Sequence, residues 1–501
     1  MRIIQEYVSR NYDRVIGWGT SGYYEKYSKE LSVELDYLID NDPNKRNQLL
    51  DGKKIYPPSI LCNETPKKTL VIIFSSFYNE IKETIHQFGD FYTISGNQLI
   101  GFGHLLMKSE NKLLEDDELD KGIIISISRN NFALYLGGTS KFIREQMILY
   151  KEKGCINLHL FWRIYNIKGF NGSFLTVVKN GSEIGLFTID QFFEAINNIK
   201  ALIVHNLIGM ELSVLDTIIN KLDSKVPILY YLHDFSCICS NIKLMHNDET
   251  FCHGYEDEWK LCASCESNEQ KKKIFEYHST LFSINNIKLI APSNHTKYAV
   301  TKAFNLDEKK IAVINHQKHT IVNKEKISVN NKIKIAYVGY KHIHKGWEIF
   351  KKIFFEFKNK YEFYCLGTND EFIEGINYID VSFIENGELA MVNKLVEHSI
   401  DVAFLWSVWP ETYSYTYYES FAAGSLVITN VLSGNIADQV KVNQNGVVFN
   451  NYTELRDLLS NEEELRNTIL NNKKIIKNLR SNKEDIFEEI DIVKNINNLE
   501  L

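Results

Sequence analysis

Glu411 and Glu419 stand eight positions apart in the run Pro410-Glu411-Thr412-Tyr413-Ser414-Tyr415-Thr416-Tyr417-Tyr418-Glu419-Ser420-Phe421-Ala422-Ala423-Gly424. The spacing puts the first carboxylate in a loop and the second two turns inside the helix that follows. Thr412 or Ser414 caps that helix, whose free N–H groups and positive dipole end then suit a phosphate. A loop carboxylate accepts hydrogen bonds from sugar hydroxyls, and one further along can serve the two hydroxyls of a ribose. Taken alone, the pair also fits a dipole-favoured charge at Glu411 and a solvated helix position at Glu419.

The elements that must position this pair are legible on either side. Val402-Ala403-Phe404-Leu405-Trp406 reads as a buried strand leading into the loop, and Leu426-Val427-Ile428-Thr429 as the next one. Upstream, Lys334 to Val338 is a buried parallel strand ending at Gly339, then comes a loop with Lys345-Gly346 and a helical Trp347 to Lys352. Further back, Gly122 to Ser128 is a strand, Gly137-Gly138 a tight loop, and Lys141 to Lys153 a helix closed by Gly154. Glycines in that loop let backbone N–H groups approach a phosphate or an acceptor. His205 and His233 each end an apolar strand, the place where ligands collect in open α/β sheets.

Together these segments resemble retaining glycosyltransferases of the GT-B fold, of the family 4 type, with their Glu-x7-Glu motif. The match takes in the strand and proline before Glu411, the small residues Ala422, Ala423 and Gly424, then Gly434 and the Asn445-Gly446 turn. The resemblance implies that Glu411 contacts the donor sugar and Glu419 the nucleotide ribose. It assigns catalytic roles to Glu411, His233 and Lys345, and donor contacts to Gly137, Gly138, Gly339, Lys341, Ser414, Tyr415 and Glu419. Such enzymes carry an arginine after the glycine at 339, and here that position holds Tyr340. Since charge stabilisation of a departing diphosphate is a large catalytic term, the departure matters, and Lys341 or His342 stands nearby to substitute.

Two further constellations need separate readings. Of eight cysteines, five fall between Cys237 and Cys265, and Cys239, Cys252, Cys262 and Cys265 offer four soft ligands that suit a structural zinc or an iron–sulfur cluster. Unligated thiols are the competing reading, whereas disulfides suit a chain with a polar, signal-free N-terminus less well. Near the start, Gly17-x-Gly19-x-x-Gly22 follows a short strand and precedes a helix, and Asp40 closes the strand-like run from Val33. That is a dinucleotide fingerprint for NAD or another nucleotide, set against a degenerate Rossmann module that supports assembly alone.

With 501 residues, 44% of them hydrophobic, the chain can bury three α/β cores. The expected architecture is a GT-B pair of Rossmann-like domains facing a cleft, preceded by a smaller Rossmann-like domain. The boundaries fall at 1–118, 119–328 with the Cys-rich insert 237–265, 329–480, and a helical tail 481–501, with charged helix from about Asn461 onward. A net charge of −7 argues against a nucleic-acid partner, and no run is long enough to span a membrane. The polar, signal-free start leads to the expectation of a cytoplasmic chain, and lysine-rich patches, mostly solvated faces, leave room for weak contact with anionic headgroups at the inner face of a membrane. The expectation is therefore transfer, with retention and without a required cofactor, from a nucleotide-diphosphate sugar to a glycan, lipid-linked or protein acceptor. A non-catalytic scaffold and a bifunctional chain with an active N-terminal module are the alternatives. Donor base, sugar, linkage and oligomeric state have no readable rule.

Overall fold

The protein is described by a computed structural model, which covers residues 2–31, 33–75, 77–106, 112–118, 120–129, 131–132, 137–247, 250–254, 260–265, 268–324, 332–367, 372–382, 387–472 and 475–482. It is a mixed α/β chain whose sheets are mainly parallel. Two compact units divide it: residues 1–135, 153–200 and 209–223 form the first, and residues 136–152, 201–208 and 224–501 the second.

In the first unit, the strand Arg14–Trp18 lies between Tyr37–Ile39 and Thr69–Ile73, parallel to both, and Tyr92–Ser95 extends the sheet. These strands are buried on both faces, so their sequences are continuous apolar runs. Val15, Leu70 and Ile72 pack to one side, and Ile16, Trp18, Val71 and Ile73 to the other. Ile123–Ser128 pairs in parallel with Ile156–Ile167, which continues into an antiparallel ribbon with Phe170–Lys179 and Ser182–Phe187.

The second unit carries two parallel sheets. In the smaller, the strand Ile199–Asn206 (its residues 201–206), Ile228–Tyr231, Ile287–Ala291 and Ile311–Val313 run side by side. In the larger, the order is Ile376–Ile379, Glu362–Leu366, Lys334–Val338, Val402–Phe404, Leu426–Asn430, Gly446–Phe449, all parallel. Alternation along each strand builds two cores: Ile335, Tyr337 and Phe404 face one with Trp347 and Phe350, while Ala336, Val338 and Ala403 face the other with Tyr417 and Tyr418. The strands stay parallel, but their succession in the chain runs outward in opposite directions from the neighbours Lys334–Val338 and Val402–Phe404. The order is that of a dinucleotide-type sheet, whose ligand crevice opens beyond the carboxyl ends of those two strands.

Around this frame the helix after the Gly-Gly loop takes its expected place, and the stretch after Asn461 needs one correction. The helix after the Gly-Gly loop spans Gly138–Glu152 and ends before Gly154 at φ 74°. The stretch from Asn461 begins as the expected helix, Glu462–Asn471, but Ile475–Ser481 is a strand paired antiparallel with Gln317–Lys324. The backbone groups of that segment find ladder partners there that a solvated helix would not need. The helical tail expected at 481–501 lies, beyond Asn482, outside the described residues. Among the described residues, no helix is long and apolar enough to cross a membrane.

Candidate functional site

Two loops meet beyond the switch point of the larger sheet. After Lys334–Val338 the chain turns at Gly339, makes a short 3₁₀ turn at Ile343–Lys345, and enters the helix Trp347–Phe357 through Gly346. After Val402–Phe404 it runs through Ser407 and Glu411 to the helix Tyr415–Ala422. Val408 N–H donates to His344 O at 3.0 Å, which ties the loops together. The side chains then converge. Lys345 Nζ forms an ion pair with Glu411 Oε1, and Ser407 Oγ lies 3.0 Å from the same oxygen. Glu411 is buried, whereas Lys345 keeps 41% of its side chain exposed over the ring of Trp409, 5.6 Å from its centroid. A carboxylate is thereby held in place by a cation that still reaches the crevice.

The Glu411 loop is itself fixed from behind. Glu411 forms a parallel bridge with Gly434, and Asn435 N–H donates to Glu411 O at 2.9 Å. Asn430 Nδ2 and Ser433 Oγ donate to Ser407 O at 2.8 and 2.9 Å. Of the two candidate caps, Ser414 is the one used: its Oγ accepts from Tyr417 N–H at 3.3 Å. Thr412 turns the other way, its Oγ1 donating to His233 O at 2.5 Å while its own carbonyl accepts from Ser293 and Thr296 at 2.7 and 3.2 Å.

Glu419 is not a solvated helix position: it is 0% exposed. Neither carboxylate oxygen has a hydrogen-bond partner among the described residues, and Lys141 Nζ stands 3.8 Å from Oε1, beyond hydrogen-bond reach. Desolvation outweighs that cation's attraction and pushes the carboxyl up to about 7. Lys141 lies in the first turn of the helix that follows Gly137-Gly138, its ammonium 4.7 Å from the centroid of the Tyr415 ring. That ring also packs on Gly138, where a Cβ would sit 3.1 Å from Tyr415 Cε2. The glycine loop and the Glu419 helix thus close on one another through Tyr415.

The smaller sheet sends its own strand ends here. His205 Nδ1 and His233 Nε2 are 3.0 Å apart and share one proton. Burial lowers His233 to about 3, so its imidazole is neutral near pH 7 and serves as a hydrogen-bonding group, not a cation. His316, just past Ile311–Val313, is held well below the usual histidine range by burial and lies 5.4 Å from the His233 ring, 4.2 Å from Phe142 and 5.9 Å from Tyr415.

Other predicted site residues lie differently. Lys341 is buried, its ammonium 5.2, 5.7 and 5.9 Å from the ring centroids of Tyr378, Trp347 and Phe372. Gly339 has φ 114°, and a Cβ there would press on Thr416 at 3.2 Å. Lys141, His316, His344 and Ser407 escaped sequence reading. Lys141 alone had a signal, a basic residue three positions after Gly138.

Cys239, Cys252, Cys262 and Cys265 line one cavity together with His246 and Lys271. Lys271 is buried and donates to Cys262 Sγ at 2.8 Å, and burial pushes the Cys252 thiol up to about 11. A buried ammonium therefore already stands against these sulfurs. Among the described residues no group of three or more His, Cys, Asp or Glu side chains is arranged to hold a metal ion.

In the first unit, Gly17 leaves no room for a side chain beside Leu38 and Leu35, and Gly19, at φ 102°, lets the backbone pass Phe74 O. Gly22 opens the next helix. Asp40 lies just past the strand Tyr37–Ile39, which is shorter than the expected run from Val33, and its carboxylate is taken up within the protein. Thr20 Oγ1 donates to Oδ2, Lys45 Nζ lies 3.2 Å from the same oxygen, and Asp42 N–H donates to Oδ1 at 2.9 Å. These contacts hold the carboxyl below its ordinary value despite burial, and they occupy the group that a ribose would need.

No family model and no curated protein matches the chain. Among solved structures it is similar to sucrose-phosphate synthase from Thermosynechococcus elongatus, at 10% identity over 70% of this chain and 93% of that one, with a TM-score of 0.43. Anabaena HepE in complex with UDP-glucose aligns at 12% identity over 70% and 93% of the two chains, TM-score 0.43. The apo form of the lipopolysaccharide outer core galactosyltransferase WaaB aligns at 11% identity over 74% and 99%, TM-score 0.38.

Proposed function

We propose that the chain is a GT-B glycosyltransferase that moves a sugar from a nucleotide-diphosphate donor to a hydroxyl of a glycan, lipid-linked or protein acceptor, with retention of configuration. The observation that carries the reading is the Lys345–Glu411 pair at the switch point of a parallel sheet, with a second carboxylate, Glu419, eight residues on, buried and without a hydrogen bond among the described residues. Glu411 accepts hydrogen bonds from donor sugar hydroxyls and Glu419 from the ribose, which supplies the partners its oxygens lack. Lys345 faces the diphosphate. In the reacting step the C1–O bond breaks with its electron pair passing to the departing diphosphate oxygen, beside Lys345. The acceptor oxygen bonds to C1 on the same face, and its proton goes to that departing oxygen. Neutral His233 orients the sugar by hydrogen bonding. No step is routed through the cysteines or through the N-terminal module.

A second reading, a non-catalytic GT-B scaffold, is favoured by Tyr340, 59% exposed where the resemblance implies an arginine. One experiment decides between them. Full-length protein is titrated with UDP-, GDP- and ADP-sugars by calorimetry, and donor hydrolysis is followed. The enzyme reading expects one donor to bind and turn over slowly, with Glu411→Gln cutting turnover about 100-fold. A folded protein that binds none of them supports the scaffold.

A further inference from the structure

Positive charge beside a departing diphosphate is a large catalytic term, and Lys345 is one source of it. Tyr340 carries no charge. Lys341 is turned into the rings of Tyr378, Trp347 and Phe372. The His342 ring stacks on Tyr340 at 5.9 Å and accepts from His344 N–H at 3.3 Å.

A cation does arrive from elsewhere. Lys243, in the Cys-rich insert, places its Nζ 2.7 Å from His344 Nδ1. His344 is buried and immediately precedes Lys345, and its carbonyl is the acceptor that joins the two crevice loops. With the ammonium as donor, Nδ1 is the acceptor and the ring is neutral with its proton on Nε2.

The insert is built to hold that lysine still. Asn241 Oδ1 accepts from Lys243 N–H at 3.3 Å, Asn241 Nδ2 donates to Met245 O at 3.0 Å, and Cys252 N–H donates to Leu244 O at 2.8 Å. Met245–His246 pairs antiparallel with Thr250–Phe251. Cys239 and Cys252, one on either side of Lys243 in sequence, line the same small cavity. Most telling is Leu244, buried and held at φ 55°. A left-handed leucine is strained and persists where its surroundings over-determine it, commonly beside a functional group.

We infer that Lys243 is the second diphosphate-facing cation of the donor site, delivered by the Cys-rich insert in place of an arginine at position 340. This rests on the glycosyltransferase reading above. Lys243 and Lys345 flank His344, and the two ammonium groups share the charge that develops on the diphosphate oxygens as C1–O breaks.

The test compares wild type, Lys243→Gln and Lys243→Arg as full-length proteins, each first shown to be folded by its thermal transition. Binding of UDP, GDP and ADP is measured against the corresponding monophosphates, and kcat and KM with the donor that wild type turns over. Lys243→Gln is expected to lower kcat about 100-fold and to cut the preference for the diphosphate over the monophosphate at least tenfold, with Lys243→Arg recovering most of both. Wild-type kcat and wild-type diphosphate preference in Lys243→Gln overturn this inference and leave the enzyme reading standing. Loss of kcat with unchanged diphosphate preference also overturns it, since Lys243 would then act through His344 alone. A wild-type protein that binds no nucleoside diphosphate overturns both. If Lys243→Gln does not fold, Lys243→Arg and Lys243→Met carry the same comparison.

Discussion

Glu419 shows how an ordinary residue type becomes a site when its surroundings withhold solvent. Its carboxyl, raised to about 7 by burial, is protonated in the folded chain over a range where an unfolded glutamate, near 4.5, is ionised. The folded state therefore holds more protons than the unfolded state between those values, and stability falls as pH rises through that window. Glu419→Gln removes the titration. The variant is expected to gain stability relative to wild type as pH rises from 5 to 8, on the order of 1–3 kcal/mol, with little difference at pH 5. Urea denaturation at the two pH values reads this directly, and a stability difference independent of pH would contradict it. The same variant should bind nucleotide more weakly, because an amide is a poorer acceptor for ribose hydroxyls than a carboxylate. At this scale the sequence was informative about which residues matter and silent about their state. The eight-residue spacing placed Glu411 and Glu419, but burial and the approach of Lys141 come from a helix more than 250 positions upstream in the chain.

Among elements, the loop carrying Glu411 depends on a glycine it does not contain. Gly434 sits at φ 58° and ψ −123°, a region open to glycine, and a Cβ there would stand 2.7 Å from Glu411 N and from Pro410 Cα. Gly434→Ala should cost about 2 kcal/mol or more, from backbone strain together with displacement of the Glu411 loop. Donor turnover should fall further than stability alone explains, because Lys345 and Ser407 then lose their register with the carboxylate. A melting temperature and donor affinity equal to wild type would show that the loop is held by other means. The elements themselves were readable: Lys334–Val338, Val402–Phe404 and Leu426–Asn430 are apolar runs because both faces of a parallel sheet are covered. Their order was not readable, since which strands neighbour one another depends on contacts remote in sequence. Ile475–Ser481 was misread for the same reason, its strand partner lying more than 150 residues earlier.

For the whole molecule the open question is which of the two units takes a nucleotide. The glycine fingerprint of the first and the glutamate pair of the second both match known patterns, and the sequence favours the glutamate pair while leaving the fingerprint open to a degenerate module. Side-chain surroundings sharpen that ranking. Asp40, which would meet a ribose, is engaged by Thr20, Lys45 and the Asp42 N–H, whereas both oxygens of Glu419 lack hydrogen bonds among the described residues. In the two-unit division, residues 136–152 and 201–208 join a unit whose remaining residues lie after 223. A thermal-shift experiment on the full chain applies this ranking. A nucleoside diphosphate at about 100 times its Kd adds about 2.7 kcal/mol to the state that binds it, which raises the midpoint by roughly 4 °C in a unit of this size. NAD and NADP at millimolar concentration are expected to leave every transition unmoved. A shift with NAD that disappears in Gly19→Val would restore the bifunctional alternative, because a valine at φ 102° against Phe74 O cannot keep the loop that a pyrophosphate requires.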